Sequence, residues 1–208
     1  MMSNINNKGL VLVISSPSGA GKTTICKRLI DEVEGIDLSV SVTTRKKRKD
    51  EIEGQHYFFK NENQFSRLLK QNEFLEHANV FGYLYGTLKS EVISKIKNGI
   101  DVIVDIDWQG TRQIERFLPK DIVKVFILPP SIEELENRLG KRASENKENF
   151  IKRMSEAKEE ISHFNEYDFL IVNDEIQKAV SQIKSIIFSE RLRRYRQLKL
   201  KKIVKKLV

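Results

Sequence analysis

Ser15-Ser16-Pro17-Ser18-Gly19-Ala20-Gly21-Lys22-Thr23-Thr24 follows the apolar run Leu10-Val11-Leu12-Val13-Ile14 and precedes Ile25-Cys26-Lys27-Arg28-Leu29-Ile30. The first run reads as a short β-branched strand. The last carries Cys26, Leu29 and Ile30 as an apolar stripe at helical spacing. A strand, a loop of small residues ending in Gly-Lys-Thr, and a helix make a phosphate cradle. Backbone N–H groups of such a loop converge on phosphate oxygens, and the helix N-terminus adds positive potential. Lys22 is placed to reach the β- and γ-phosphates and the Thr23 hydroxyl to ligate magnesium. A nucleoside triphosphate is therefore the expected ligand. The full motif is G-x-x-x-x-G-K-S/T, and Ser16 stands at its first position. Gly19 and Gly21 also begin G-x-G-x-x-G, but Thr24 occupies the third glycine position, so a dinucleotide fingerprint fails.

Outward from this loop, 208 residues suit one domain with small inserted subdomains. Hydrophobic residues make up 39% and charged residues 32%, which indicates a soluble globular chain. No apolar run approaches the roughly 18 residues that span a bilayer, and Met1–Lys8 lacks the core of a secretory signal. Cys26 is the single cysteine, so no internal disulfide forms; on the apolar side of its helix it reads as a packed thiol. A cytoplasmic location is expected. The net charge of +8 is unevenly spread: residues 191–208 hold nine Lys and Arg and no acid, leaving the rest near neutral. Residues 190–208 read as a basic C-terminal helix packed at one edge with a solvated face. Nucleic-acid or membrane-surface binding is the alternative for it.

Apolar runs alternate with helical patterns, which indicates an α/β fold with a parallel sheet covered on both faces. Expected strands are 10–14, 38–42, 102–105, 123–128 and 169–172. Expected helices are 23–33, 90–98, 113–117, 132–139, 149–161 and 176–196. Asn61-x-x-Gln64 and Ser131-x-x-Glu134 read as capping boxes. Two segments interrupt the alternation. Residues 43–88 are rich in aromatics and read as short strands around one helix, 63–71. Residues 131–160 are helical and cationic. Insertions of this kind often form substrate-binding and lid elements.

Three constellations carry chemistry. Thr43-Thr44-Arg45-Lys46-Lys47-Arg48-Lys49 opens the aromatic insertion with a charge density that a second phosphate-bearing substrate needs. Asp105 and Asp107 end an apolar strand, where ligands lie in open α/β sheets; Asp105 is a candidate for magnesium or its water shell. Arg138, Arg142 and Arg153 belong to the helical insertion, the first two at i, i+4. The histidines have no metal-ligand spacing, and Trp108 reads as packing.

With these residues in view, the chain resembles the guanylate kinases, P-loop enzymes that phosphorylate GMP. The resemblance runs from Gly9 to about Ser189. It rests on Pro17-Ser18-Gly19-Ala20-Gly21-Lys22, Ser41-Val42-Thr43-Thr44-Arg45-x-x-Arg48, Gly54-x-x-Tyr57, Glu73-Phe74-Leu75-Glu76, Tyr83-x-Tyr85-Gly86-Thr87, Asp105-Ile106-Asp107-x-Gln109-Gly110, Pro129-Pro130-Ser131 and Val172-Asn173-Asp174. Bacterial members also lack the first loop glycine. The resemblance implies a P-loop three-layer fold: an ATP-binding core (8–40, 91–130, 161–189), a GMP-binding insertion (41–90) and a lid (131–160). It implies Mg2+-dependent transfer of the ATP γ-phosphoryl group to GMP, with dGMP as a further acceptor, in guanine nucleotide synthesis and recycling. Ser16, Pro17, Ser18, Gly19, Ala20, Gly21, Lys22, Thr23 and Thr24 would hold ATP, with Asn173 near its base. Thr23 and Asp105 (through water) would hold the metal. Arg45, Arg48, Tyr57 and Tyr85 would take the GMP phosphate; Ser41, Glu76, Thr87 and Asp107 would read guanine. Lys22, Arg45, Arg138, Arg142 and Arg153 would serve catalysis. ATP and GMP are the expected partners; a membrane and nucleic acid are not, and a homo-oligomer is left open. The competing readings are a non-catalytic guanylate-kinase-like scaffolding module, a kinase for another monophosphate, and a nucleic-acid binder using the tail.

Overall fold

The computed structural model describes residues 7–80, 82–142 and 147–208. A five-stranded parallel sheet has the order β2-β7-β1-β8-β9, formed by Ile36–Leu38, Asp101–Asp105, Val11–Ser15, Ile122–Leu128 and Phe169–Val172. Central β1 is buried along its whole length, so its alternating side chains feed two separate cores. Leu10, Leu12 and Ile14 pack with Ile25 and Leu29 of α1 (Lys22–Glu32) and Ile183 and Ile187 of α7 (Ile176–Arg191). Val11 and Val13 pack with Val92 and Ile96 of α3 (Lys89–Lys97) and Ile114 of α4 (Trp108–Phe117). Cys26 lies in the first core, and burial pushes its thiol up to about 12.

The aromatic insertion is a second sheet, β4-β3-β6-β5, from Tyr57–Phe59, Ser41–Thr43, Tyr83–Leu88 and Phe74–Val80, with α2 (Glu62–Lys70) beside it. The capping box at the start of α2 is complete: the Asn61 side chain accepts from the Gln64 N–H, and Gln64 accepts in return from the Asn61 N–H. At the Ser131 site the hydroxyl accepts from the Glu134 N–H at 3.1 Å. Between Phe74 and Glu76 the register of β5 slips. A bulge re-aims the side chains beside it. Here Phe74 stays in the insertion's own core with Phe65 and Val42, Leu75 reaches the core of the main sheet, and Glu76 turns to Thr87. Helices α5 (Ile132–Arg142) and α6 (Lys147–Ser162) pack on each other through Leu135, Leu139, Met154 and Ala157.

Three expectations need correction. The single strand expected over 38–42 is two: Ile36–Leu38 edges the main sheet and Ser41–Thr43 opens the second, so the chain changes sheets at residues 39–40. Helix α4 begins at Trp108, well before Gln113, because the Asp107 carboxylate caps it by accepting the Gly110 N–H at 2.9 Å. The helix expected to reach residue 196 stops at Arg191, and the tail is not one basic helix: only α8, Leu200–Leu207, is helical beyond it. Beyond the break Arg196 turns inward. Its fully buried guanidinium donates to the carbonyls of Gly9 (3.1 Å) and Asp121 (3.3 Å). No helix among the described residues is long and apolar enough to cross a membrane.

Candidate functional site

β1 delivers the chain into the glycine loop at the carboxyl end of the main sheet. Gly21 sits at φ 96°, where a side chain is strained, and a Cβ there would stand 2.4 Å from Asn173 Nδ2. That amide donates to the Ala20 carbonyl at 2.7 Å. Asn173 is thus a buried brace beneath the loop. Gly19, at φ 93°, has Leu135 and Leu139 against it, so α5 packs directly on the loop.

Lys22 opens α1 and pairs with Asp105, at the end of β7, at 2.5 Å. Burial by itself depresses the amine, but Asp105, with Glu160 behind it, more than offsets this and holds Lys22 above its ordinary value. Ser16, Pro17, Ser18, Gly19, Gly21, Lys22, Thr23, Thr24, Asp105 and Glu160 line a cavity of about 320 Å³. Thr23 and Thr24 are exposed. Burial pushes Glu160 up to about 7; Lys22 opposes that rise, Asp107 and Glu156 add to it, and the Ser18 N–H favours the charged form.

A larger cleft of about 750 Å³ adjoins this cavity and shares Ser18 and Glu160 with it. Asp107, Trp108 and Gln109 from the start of α4, Asn79 and Val80 from β5, and Lys152, Arg153, Glu156 and Glu159 from α6 complete its wall. Behind Asp107 lies Glu76, which is 4% exposed. Its Oε1 accepts from the Thr87 hydroxyl at 2.6 Å. Burial, helped by the charge of Asp107 and opposed by Thr87, pushes Glu76 up to about 7. A Cβ on Gly110 would come within 3.2 Å of Glu76 Oε2, so the α4 backbone closes on the carboxylate. Val42 pairs with Gly86 in antiparallel register; one step along each strand sets Ser41 beside Thr87.

The cationic run sits at the far end of the same strands. Arg45 bonds both oxygens of Glu51, at 2.6 and 3.0 Å. Its guanidinium lies 5.3 Å over the Tyr57 ring, and Tyr57 meets Tyr85 edge-on at 5.9 Å. Glu51 also accepts the Arg48 backbone N–H at 2.8 Å. These donors hold Glu51 down at about 2, and Glu51 in turn raises Arg45. The Arg48 side chain is exposed.

The three arginines expected of a lid are divided. Arg153 reaches the larger cleft. Arg138 bonds Glu134 one turn back at 2.7 Å and lines neither cavity. Arg142 ends α5, and its side chain lies outside the described residues. Sequence reasoning missed Glu51 and Glu160. Glu51 had a signal, a carboxylate six residues after Arg45 in a cationic run. Glu160 had none, since only the packing of α6 brings it to the loop. Trp108 stacks on His163 at 3.8 Å under Arg112 and also lines the larger cleft.

Residues 8–190 match the family model described as guanylate kinase. Among curated relatives, the guanylate kinase of Hyphomonas neptunium is 45% identical over 203 residues, covering 98% of this chain and 94% of that protein. That of Maricaulis maris is 48% identical over 189 residues, covering 91% and 87%. The crystal structure of guanylate kinase from Anaplasma phagocytophilum superposes with a TM-score of 0.77 at 35% identity, covering 97% of this chain and 96% of that one.

Proposed function

Because the chain belongs to the guanylate kinase family, we propose that the two adjoining cavities hold its two substrates and that the residues around them divide the work of transfer. The enzyme is a nucleoside monophosphate kinase that moves a phosphoryl group from ATP to GMP. What most supports the division is the shared wall: a phosphate loop and a cleft floored by Asp107 meet at Ser18 and Glu160.

The loop from Ser16 to Thr24 takes the ATP phosphates on its backbone N–H groups, and Lys22 supplies the cation. Asn173 and the leucines of α5 keep the loop in that shape. Thr23 and Asp105 suit magnesium, since both offer oxygen to the same cavity and Asp105 is partly exposed. The ion would neutralise charge on the β- and γ-phosphate oxygens.

At the other site Ser41, Glu76, Thr87 and Asp107 read guanine. Guanine presents N1–H and an exocyclic amine on one edge, two donors for the Glu76 carboxylate. Thr87, bonded to Oε1, fixes that carboxylate's orientation. AMP offers neither donor, and leaving a buried carboxylate unpaired can cost a factor of about 10⁴–10⁵ in selectivity. Arg45, Arg48, Tyr57 and Tyr85 take the GMP phosphate, with Glu51 holding Arg45 ready. The attacking phosphate oxygen is already ionised at neutral pH, so no strong base is needed. Catalysis is alignment and the spreading of charge by Lys22, Arg45 and the lid arginines Arg138, Arg142 and Arg153. Arg138 has to leave Glu134 to take part.

ADP formation from ATP and magnesium, with GMP, AMP, CMP and UMP offered separately, tests this reading. Turnover with GMP alone is expected. Equal turnover with another monophosphate removes the base-reading roles, and no turnover with any removes the division of sites.

A further inference from the structure

Among the described residues Glu160 is the one acid that lines both cavities, and the roles above leave it unused. It stands in the last turns of α6 and lines the loop cavity together with Ser18 and Lys22, two groups assigned to ATP phosphate. Its Oε2 is buried and has no hydrogen-bond partner. We propose that Glu160 is a placeholder: its carboxyl group occupies part of the phosphate cradle, and ATP must displace it, and the face of α6 that carries it, to bind.

Three physical points support this. Glu160 shares the loop cavity with Ser18 and Lys22, and a carboxylate and a phosphate oxygen brought together there repel. A buried oxygen without a partner carries a desolvation cost, so the carboxylate is held loosely and gains by leaving. Arg153, Glu156 and Glu160 lie at i, i+3 and i+7, on one face of the helix, and all three line the larger cleft. Displacing Glu160 therefore shifts Arg153 as well. The arrival of ATP in one cavity is thereby felt at the wall of the other. Glu160 acts through Ser18 and α6, as a positioning residue.

The proposal rests on the assignment of the loop to ATP, and the test separates the two. Dissociation constants for ATP and for GMP are measured by calorimetry on wild type, Glu160→Gln, Glu160→Ala and Glu136→Gln, with thermal unfolding of each. Glu136 is an exposed acid on α5 and serves as a control for net charge. Glu160→Gln should bind ATP about tenfold more tightly, because a negative charge beside the phosphates is removed. Its affinity for GMP should be unchanged and its Tm should not fall. Glu160→Ala should also favour ATP. Unchanged or weaker ATP binding by folded Glu160 variants overturns the placeholder role, as does equal tightening in Glu136→Gln. Equal weakening toward both substrates would mark Glu160 as merely structural. Wild-type enzyme that binds no ATP would overturn the loop assignment itself.

Discussion

At the carboxyl end of β1, Lys22 and Asp105 pair on the wall of an open cavity. At its amino end Arg196 is wholly enclosed and bonded to the Gly9 and Asp121 carbonyls, with Arg191 nearby on Asp101 at 2.7 Å. This end too has a cavity, of about 590 Å³, lined by Lys8, Lys120 and Arg193 together with Asp121, Asp168 and Glu190. Size and buried charge therefore do not tell the two ends apart. The difference is in what the charges face. At the amino end Lys8 pairs with Asp121, Arg191 with Asp101 and Arg193 with Glu190, while Arg196 bonds carbonyls. At the carboxyl end Lys22 and the glycine loop line an open space, with Asp105 paired to Lys22 and Glu160 on the same wall.

The sharpest way to break this contrast is to remove one cation from each end. Lys22→Met should lower kcat by about 10³-fold or more, because a cation on the transferring group is lost, while Tm stays near wild type. Full activity in that variant would sink the mechanism. Arg196→Met should do the reverse. It leaves buried carbonyls and acids uncompensated and should cost about 3–5 kcal/mol of stability by denaturant unfolding. The folded fraction should retain its kcat; a matched loss of kcat would mean that the two ends are coupled.

Glu76 tests the same idea within the carboxyl end. Its folded value of about 7 stands above the ordinary 4.5, so the folded chain binds more protons between those pH values. Stability from this group is accordingly greatest below about 4.5 and falls as pH rises to about 7, by roughly 3 kcal/mol. Glu76→Gln should flatten that part of the stability profile, leaving the share due to Glu160. It should also raise the KM for GMP far more than that for ATP. Equal loss for both substrates would remove the base-reading role. The smallest effect is expected at a satisfied surface pair: Asn61→Ala should cost about 1 kcal/mol through its lost cap and leave both KM values unchanged.

The glycine loop, the alternating order of the main sheet and the aromatic insertion could be read along the chain because each is set locally. Gly19 and Gly21 are fixed by their own φ, the strands by contiguous apolar runs. What escaped reading depends on partners far away in sequence. Asn173 is defined by Ala20, 153 positions earlier, and Arg196 by Gly9, 187 positions earlier. A run of nine cations without an acid suggests a solvated tail, yet its Arg196 is among the most deeply buried side chains. Nor could the sequence announce the slip at Leu75, since period-two alternation assumes a regular ladder.

Cys26 gives this enzyme a silent background for spectroscopy. It is the only cysteine, it is enclosed in the core, and its thiol ionises only near 12, so maleimide dyes will pass it by in the folded protein. A cysteine introduced on the exposed side of α6 and another on α2 can then carry a donor and acceptor fluorophore without further engineering. Distances between helix and insertion become readable in single molecules as nucleotides come and go.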